Sequence, residues 1–169
     1  LEGIPTIRQH PHSLEDVLRE MEELAAACGV SGAPVDALRE RIATVRRRTR
    51  ALPARRAVFL EWLDPPYRAG HWTPDLLEAA ALHDPLARAG IPSVPVTWEQ
   101  VAEARPEVLV LAPCGFTEQR AWAEAARLGG RIEAVGAKQV VVMDGSAYFN
   151  RPGPRLADSL EILASSVRP

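Results

Sequence analysis

The chain has 169 residues, of which 47% are hydrophobic and 25% charged, a composition that suits a globular fold of one domain or one complete lobe. Its formal net charge of −2 excludes a global field that would recruit nucleic acid or an anionic membrane. No apolar run approaches the ~20 residues that a membrane-spanning helix needs.

The first predicted helix follows a short, strand-like apolar segment at residues 4–7. Ser13 is a good N-cap with Asp16 three residues later, and Gly29 ends the helical periodicity. The apolar stripe of this helix consists of Leu14, Val17, Leu18, Met21, Leu24, Ala25 and Cys28. Because Cys28 continues the stripe, we predict that its thiol is buried. With Cys114 as its only companion, it makes neither a disulfide framework nor a metal site by itself.

A second and longer helix is predicted from Pro34 to Leu52, since proline is favoured in the first turn of a helix. Its apolar stripe is narrow and consists of Val35, Leu38, Ile42, Val45, Thr49 and Leu52. A long helix with a narrow apolar stripe typically lies on the surface of a folded domain rather than inside it. Arginines cover much of its remaining surface and could form a nucleic-acid patch, but no aromatic residues lie among them. We therefore interpret them as a solvated helix face.

From Arg56 onward, short apolar strands alternate with helices. Strands are predicted at residues 57–60, 108–111 and 140–143, and helices at residues 73–81, 98–104, 117–128 and 154–167. Thr73 and Thr97 are predicted N-caps. The alternation predicts an α/β fold, a three-layer lobe with a mostly parallel sheet, preceded by the long connecting helix.

Three segments leave the strands at the carboxyl edge of the predicted sheet, where open parallel sheets bind ligands. Residues 61–72, 112–116 and 144–151 hold most of the aromatic residues, together with Arg68, Asn150 and Arg151. The aromatic residues are Trp62, Tyr67, His71, Trp72, Phe116, Tyr148 and Phe149. Rings with a few fixed donors suit a large, flat, partly apolar ligand that carries amides or carboxylates. The alternative is that several of these rings pack beneath their own loops.

Signals for catalysis are weaker. Ser146 follows a strand and could be a nucleophile, but no histidine stands where it could act as the base. Glu61 and Asp64 could form an acid/base pair, although the proline corner after Asp64 also suits a turn residue. The four histidines, His10, His12, His71 and His83, show no metal-ligand spacing, and phosphate loops and nucleophile elbows are absent from the sequence. A binding protein is favoured over a small α/β hydrolase.

Three stretches resemble the helical-backbone class of periplasmic binding proteins, nearest to its cobalamin-binding branch. They are residues 58–72 (VFLEWLDPP, continuing to AGHW), residues 96–101 (VTWEQV) and residues 144–155 (DGSAYFNRPGPR). Their order and spacing agree with that class, and together they extend over most of residues 56–165.

The resemblance implies a non-enzymatic, substrate-binding component of an ABC importer, which binds cobalamin or a related corrinoid between two lobes and delivers it to a permease. The implied ligand-binding residues are Trp62, Tyr67, His71, Trp72, Tyr148, Asn150 and Arg151. Glu99 matches an exposed glutamate that docks onto permease arginines, and it also suits the helix dipole. A ferric-siderophore or haem carrier is the alternative on the same scaffold. No cofactor or resident metal is implied, since cobalamin is the transported ligand.

The resemblance also divides the chain into three parts. Residues 1–30 correspond to the last strand and helix of a first lobe, residues 31–54 to the connecting helix and residues 55–169 to the C-terminal α/β ligand-binding lobe. We expect a fragment or a truncated product, whose uncovered cleft face favours self-association. Residues 1–5 lack the basic region and apolar core of a signal peptide, so the periplasmic or extracellular, membrane-associated location follows from the resemblance alone.

Overall fold

The computed structural model describes residues 6–168 and places eight helices and five strands along them. The helices are α1 (Leu14–Ala27), α2 (Ala33–Thr49), α3 (Thr73–Ala79), α4 (Trp98–Glu103), α5 (Glu118–Arg127), α6 (Gly129–Val135), α7 (Gly145–Tyr148) and α8 (Arg155–Ser166). The strands are β1 (Arg55–Leu63), β2 (Pro66–Arg68), β3 (Leu82–His83), β4 (Val108–Leu111) and β5 (Gln139–Val142).

The sheet has the order β2-β1-β4-β5, and β3 pairs with the start of β1. β1, β4 and β5 are parallel, with Leu60 opposite Leu111 and Leu111 opposite Val142. β2 returns antiparallel to the end of β1. The predicted mostly parallel sheet is confirmed. The two short strands β2 and β3 and the short helices α6 and α7 were not predicted. β2, β3 and α7 have only two to four residues and no continuous apolar run, and a single residue separates α6, which begins at Gly129, from the end of α5.

Helices cover both faces of the sheet, which confirms the three-layer architecture. Alternate residues of a strand point to opposite faces. Phe59 and Val110 pack into a core shared with α1, α2, α3 and α8. Leu60 and Leu111 pack into a second core beneath α4, α5 and α6. The buried strands are accordingly apolar throughout rather than alternating.

The longest helix, α2, packs against α1, α3 and α8. Its buried residues are the predicted Val35, Leu38, Ile42, Val45 and Thr49. Two ion pairs fix it further, from Arg41 to Asp158 at 2.5 Å and to Glu161 at 2.7 Å. The helix ends at Thr49, so the prediction that it continues to Leu52 is wrong. Leu52 lies in the following loop and is 41% exposed.

Helix α1 is capped as predicted, since Ser13 Oγ accepts the backbone N–H of Asp16 and the Asp16 carboxylate accepts that of Ser13. The prediction for Cys28 is wrong because the residue is exposed. Only the first half of the apolar stripe is buried, and Leu24 is already 39% exposed. The helix continues past the body that it covers, so helical periodicity persists where no neighbour packs against it.

Two boundary predictions also change. Thr73 is the first helical residue of α3 rather than its cap, and its side chain is buried. The predicted strand at residues 4–7 extends outside the described residues, and its described end, Thr6 and Ile7, is irregular. Assignment of residues 1–30 to a separate first lobe stays a prediction. In this chain α1 shares the core of α2 and α3. No helix among residues 6–168 is long and apolar enough to cross a membrane.

Candidate functional site

The candidate site lies at the carboxyl edge of the parallel strands, as the sequence predicts. β1 ends in a tight corner with a cis peptide bond between Asp64 and Pro65, and β2 then brings Tyr67 opposite Trp62. Tyr67 also bridges to Pro95, which ties the corner to the segment before α4. The corner therefore places Trp62 and Tyr67 next to each other at the carboxyl edge of the sheet.

One aromatic group forms where β1 and β4 end. The rings of Trp62 and Phe116 meet edge to face with centroids 5.2 Å apart, and the Arg120 guanidinium lies 3.8 Å from the Phe116 centroid. The indole Nε1 of Trp62 donates to the Asp64 carbonyl at 3.1 Å. Phe116 is buried beneath Trp62, which is only partly buried. Trp62 thus presents part of a firmly seated ring to solvent.

A second aromatic group forms around His71 and Trp72, and it includes two histidines that precede α1. The centroid of the His71 ring lies 5.6 Å from that of Trp72 and 6.0 Å from that of His12, and His10 lies 4.5 Å from His12. Burial lowers the pKa of His71, and the neighbouring His12 and His10 lower it further. His71 is therefore a neutral imidazole at neutral pH. His12 Nδ1 is buried and has no hydrogen-bond partner within residues 6–168.

The loop through α7 joins the two groups. Gly145 packs so closely on the segment after β4 that an added Cβ would lie 2.2 Å from the Pro113 carbonyl oxygen. Asp144 caps α7 by accepting the Ala147 N–H at 2.6 Å, and the Tyr148 carbonyl accepts the Ser159 hydroxyl. This small helix therefore has one fixed position against β4 and α8.

The side chains that follow have different roles. Phe149 is buried against Phe59, with centroids 5.1 Å apart, so it is a core residue. Its carbonyl accepts Trp72 Nε1 at 3.1 Å, which fixes Trp72 as well. Tyr148 and Asn150 are partly exposed, whereas Arg151 is exposed and makes no side-chain hydrogen bond or salt bridge within residues 6–168. Arg151 is the available guanidinium of this loop.

The carboxylates that could have served as an acid/base pair have separate partners. Glu61 accepts the Gly70 N–H at 3.0 Å, and burial raises its pKa against the lowering effect of that bond and of bonds from Thr73 and Ser93. Asp64 instead accepts Arg127 at 2.9 Å and Arg131 at 3.2 Å, and these arginines lower its pKa. Glu61 holds the loop that carries His71, and Asp64 holds the corner against α5 and α6.

The nucleophile candidates also lack activating groups. The Ser146 hydroxyl forms no hydrogen bond to a histidine within residues 6–168, and only its backbone N–H is engaged, by the Phe116 carbonyl at 3.1 Å. Cys114 lies at the edge after β4, where desolvation and the Glu61 carboxylate raise the pKa of its thiol to about 11. The thiol is therefore protonated at neutral pH, which disfavours nucleophilic chemistry.

Glu99 lies in the first turn of α4, directly after the segment that is tied to the β1–β2 corner, and is exposed. Thr97 caps the helix in a capping box with Gln100, as predicted for its N-cap. Hydrogen bonds from Thr97 and from its own N–H lower the pKa of Glu99. An ionised, exposed glutamate is compatible with both interpretations of the sequence, which are stabilisation of the helix dipole and docking onto permease arginines. Within residues 6–168, no three His, Cys, Asp or Glu side chains are arranged to hold a metal ion.

Comparison with known proteins decides the fold. No protein-family model and no curated protein matches the chain. Among solved structures, the periplasmic vitamin B12 binding protein BtuF of Vibrio cholerae aligns over 97% of this chain with a TM-score of 0.73 and 20% identity. The chain has the fold of a helical-backbone periplasmic binding protein.

Other solved structures agree. A periplasmic binding protein from Veillonella parvula aligns over 92% of the chain, with a TM-score of 0.75 and 20% identity. The periplasmic heme-binding protein RhuT from Roseiflexus also aligns over 92%, with a TM-score of 0.70 and 21% identity. The chain spans 65%, 57% and 63% of these three proteins. Identities this low establish the fold alone, and on that level the predicted resemblance is confirmed.

Of the predicted ligand-binding residues, Trp62 and Tyr67 lie in β1 and β2, and the others lie in segments that leave the sheet at the same edge. The structure also changes the set. Phe116 and Arg120 join Trp62, and His10 and His12 join His71. The position of Phe116 directly after β4 was a usable signal in the sequence. The histidines before α1 carried none, because 59 residues separate His12 from His71. The binding role of the predicted residues stays a prediction.

Proposed function

We propose that this chain is the ligand-binding lobe of an ABC-importer substrate-binding protein and that its ligand is cobalamin or a related corrinoid. The observation that carries the proposal is the exposed Arg151 guanidinium, which has no side-chain partner within residues 6–168. It lies on the loop after α7, at the edge that carries the two aromatic groups. This arrangement stands in a fold shared with a protein described as binding vitamin B12.

The chemistry of the edge fits such a ligand. A corrin ring is large and flat, and its periphery carries amides. Trp62, Trp72 and Tyr148 offer partly buried aromatic surface whose orientation is already fixed by packing and hydrogen bonds. Arg151 can give two directed hydrogen bonds to amide oxygens, with Asn150 beside it. The protonated Cys114 and the unassisted Ser146 favour binding without turnover.

A second candidate is a haem or ferric-siderophore carrier. The partly buried His71 favours it, since a neutral imidazole is a good ligand for iron. Solved structures of this fold include a heme-binding protein and a protein described as part of an Fe3+-hydroxamate transport system. The two candidates differ in one requirement: an iron chelate would use His71 directly, whereas a corrinoid depends mainly on Arg151 and the rings.

The partners follow from this proposal. A permease would receive the lobe, with Glu99 docking onto its arginines, and the location would be periplasmic or extracellular at the membrane. An edge with exposed rings is also a surface that self-associates when nothing else covers it.

Ligand titrations of the protein expressed from its complete reading frame test the proposal. Quenching of tryptophan fluorescence and thermal stabilisation are measured with cyanocobalamin, haemin and a ferric hydroxamate. Saturable binding of cyanocobalamin that is weakened by Arg151→Ala but not by His71→Ala supports the corrinoid. The reverse pattern with haemin supports the second candidate. Absence of binding to all three ligands refutes both.

A further inference from the structure

The end of the lobe opposite the candidate site carries an unusual concentration of positive charge. Residues 46–56 read RRRTRALPARR, with six arginines and no acidic residue in a chain whose net charge is −2. The segment consists of the last turn of α2, an exposed loop at residues 51–54 and the start of β1. Because β1 begins here, this basic tip (residues 46–56) lies at the amino edge of the sheet.

The arginines of the basic tip are largely free of internal partners. Arg46, Arg48, Arg50 and Arg56 make no side-chain hydrogen bond or salt bridge within residues 6–168. Arg47 pairs with Glu40 at 2.6 Å, and Arg55 donates to the Gln139 side chain at 3.0 Å and to the Val167 carbonyl. Three carboxylates interact electrostatically with these arginines at longer range. They are Glu15 and Asp75, which interact with Arg46, and Glu161, which interacts with Arg48. Most of the positive charge therefore faces solvent.

The ordinary explanations account for only part of this pattern. Cations in the last turn stabilise the negative end of a helix dipole, and this suits Arg46 and Arg48. It does not explain Arg56, which lies beyond the helix in β1. A solvated helix face does not explain why apolar residues are exposed between the two groups of arginines.

An apolar ridge stands between those groups. Ala51, Leu52, Pro53 and Ala54 are all exposed, and Leu52 is 41% exposed. Two open concavities, of about 780 and 750 Å³, are both lined by Leu52 and Ala81. The ridge is held firmly at its base, because the Thr49 hydroxyl donates to the Ala79 carbonyl at 2.8 Å.

We propose that the basic tip binds the surface of an anionic phospholipid bilayer. Arg46, Arg48, Arg50 and Arg56 would pair with lipid phosphates while Leu52 enters the boundary between headgroups and acyl chains. Clusters of four to eight cations with exposed apolar residues are the pattern that anionic membranes attract. Single-stranded nucleic acid is held largely by stacking on aromatic rings, and the basic tip has none. An acidic protein that fills the concavities beside Leu52 is the alternative occupant, and the polyglutamate comparison below distinguishes it from the bilayer.

The inference is independent of the ligand proposed above, because the basic tip and the candidate site occupy opposite edges of the sheet. A lobe bound through the tip would hold its aromatic edge away from the bilayer. Binding to lipid and docking through the opposite edge are then alternative orientations.

Vesicle co-sedimentation of the 169-residue chain tests the proposal. Vesicles of phosphatidylcholine with about one-third phosphatidylglycerol are compared with pure phosphatidylcholine, at low and at high salt. We expect binding only to the anionic vesicles and its loss at high salt. The variant R46Q/R48Q/R50Q should bind about a hundredfold more weakly, since each of the three cations near the surface contributes about fivefold. Leu52→Ser should weaken binding about two- to fivefold.

The matched control R8Q/R19Q/R88Q removes the same charge elsewhere and should bind like the wild type. Circular dichroism of every variant verifies folding. This matters most for the control, because Arg19 pairs with Asp16 and Glu23 and Arg88 donates to the Pro85 and Ala87 carbonyls. Equal binding to neutral vesicles, or equal losses in both triple variants, overturns the proposal. So does tighter binding to polyglutamate or to an oligonucleotide than to the anionic vesicles at the same salt.

Discussion

Replacement of Gly145 by alanine tests how the candidate site is held in place. An added Cβ would lie 2.2 Å from the Pro113 carbonyl oxygen and 2.6 Å from that of Ala112. Both are backbone atoms of the segment after β4, which cannot rotate aside as a side chain would. Gly145 is buried, so α7 must shift as a unit together with the loop that carries Arg151.

The cost can be bounded from this geometry. Overpacking of a well-packed site costs about 1–3 kcal/mol. For a chain of this size, about 3 °C of melting temperature corresponds to each kcal/mol, so Gly145→Ala should melt about 3–9 °C below the wild type. Ligand affinity should fall as well, because the loop with Tyr148, Asn150 and Arg151 is displaced.

Gly153→Ala is the matched control. It lies in the same loop, and nothing is within 4 Å of the position of its Cβ. Loss of a glycine at an unstrained position should leave stability within about 0.5–1 kcal/mol of the wild type, or raise it. Thermal unfolding followed by circular dichroism measures both variants. If Gly145→Ala and Gly153→Ala have the same melting temperature, the close approach at Gly145 does not constrain α7 and the reasoning fails.

Further predictions concern separate side chains. Arg151→Ala should cost about 1.5–3 kcal/mol of ligand binding in titrations, whereas Glu99→Arg should abolish only uptake; loss of binding in Glu99→Arg would contradict the docking role. Burial raises the pKa of Glu61. The wild type should therefore lose stability relative to Glu61→Gln as pH rises through that pKa, and the two proteins should unfold alike near pH 4. A stability difference in urea melts that does not change with pH would refute this. Since the Cys114 pKa is about 11, iodoacetamide should modify exposed Cys28 first at neutral pH, as mass spectrometry would detect; faster alkylation of Cys114 would contradict that assignment.

Local sequence patterns predicted much of the secondary structure. The strand at Val108–Leu111 is found as predicted, because a continuous apolar run of that length fits a strand covered on both faces. The caps at Ser13 and Thr97 are also found, since a side-chain oxygen three residues before a free N–H acts locally. Alternation of such strands and helices leaves few topologies, so the parallel three-layer fold followed as well.

Burial was harder to predict where it depends on a distant neighbour. Cys28 continues a helical stripe as regularly as Leu14 does, yet Leu14 is buried and Cys28 is exposed. Periodicity reports which face of a helix is apolar. It does not report where along its length the helix leaves the body.

Charge and chemistry depended most on tertiary structure. Glu61 and Asp64 are three residues apart in sequence, but one holds the Gly70 loop and the other pairs with Arg127 and Arg131. His12 and His71 are far apart in sequence and stand 6.0 Å apart in space. The sequence by itself determined which residues could carry chemistry and which segments form the sheet. Only the tertiary structure decided which of those residues meet, because contacts between distant segments are set by packing and leave no local pattern.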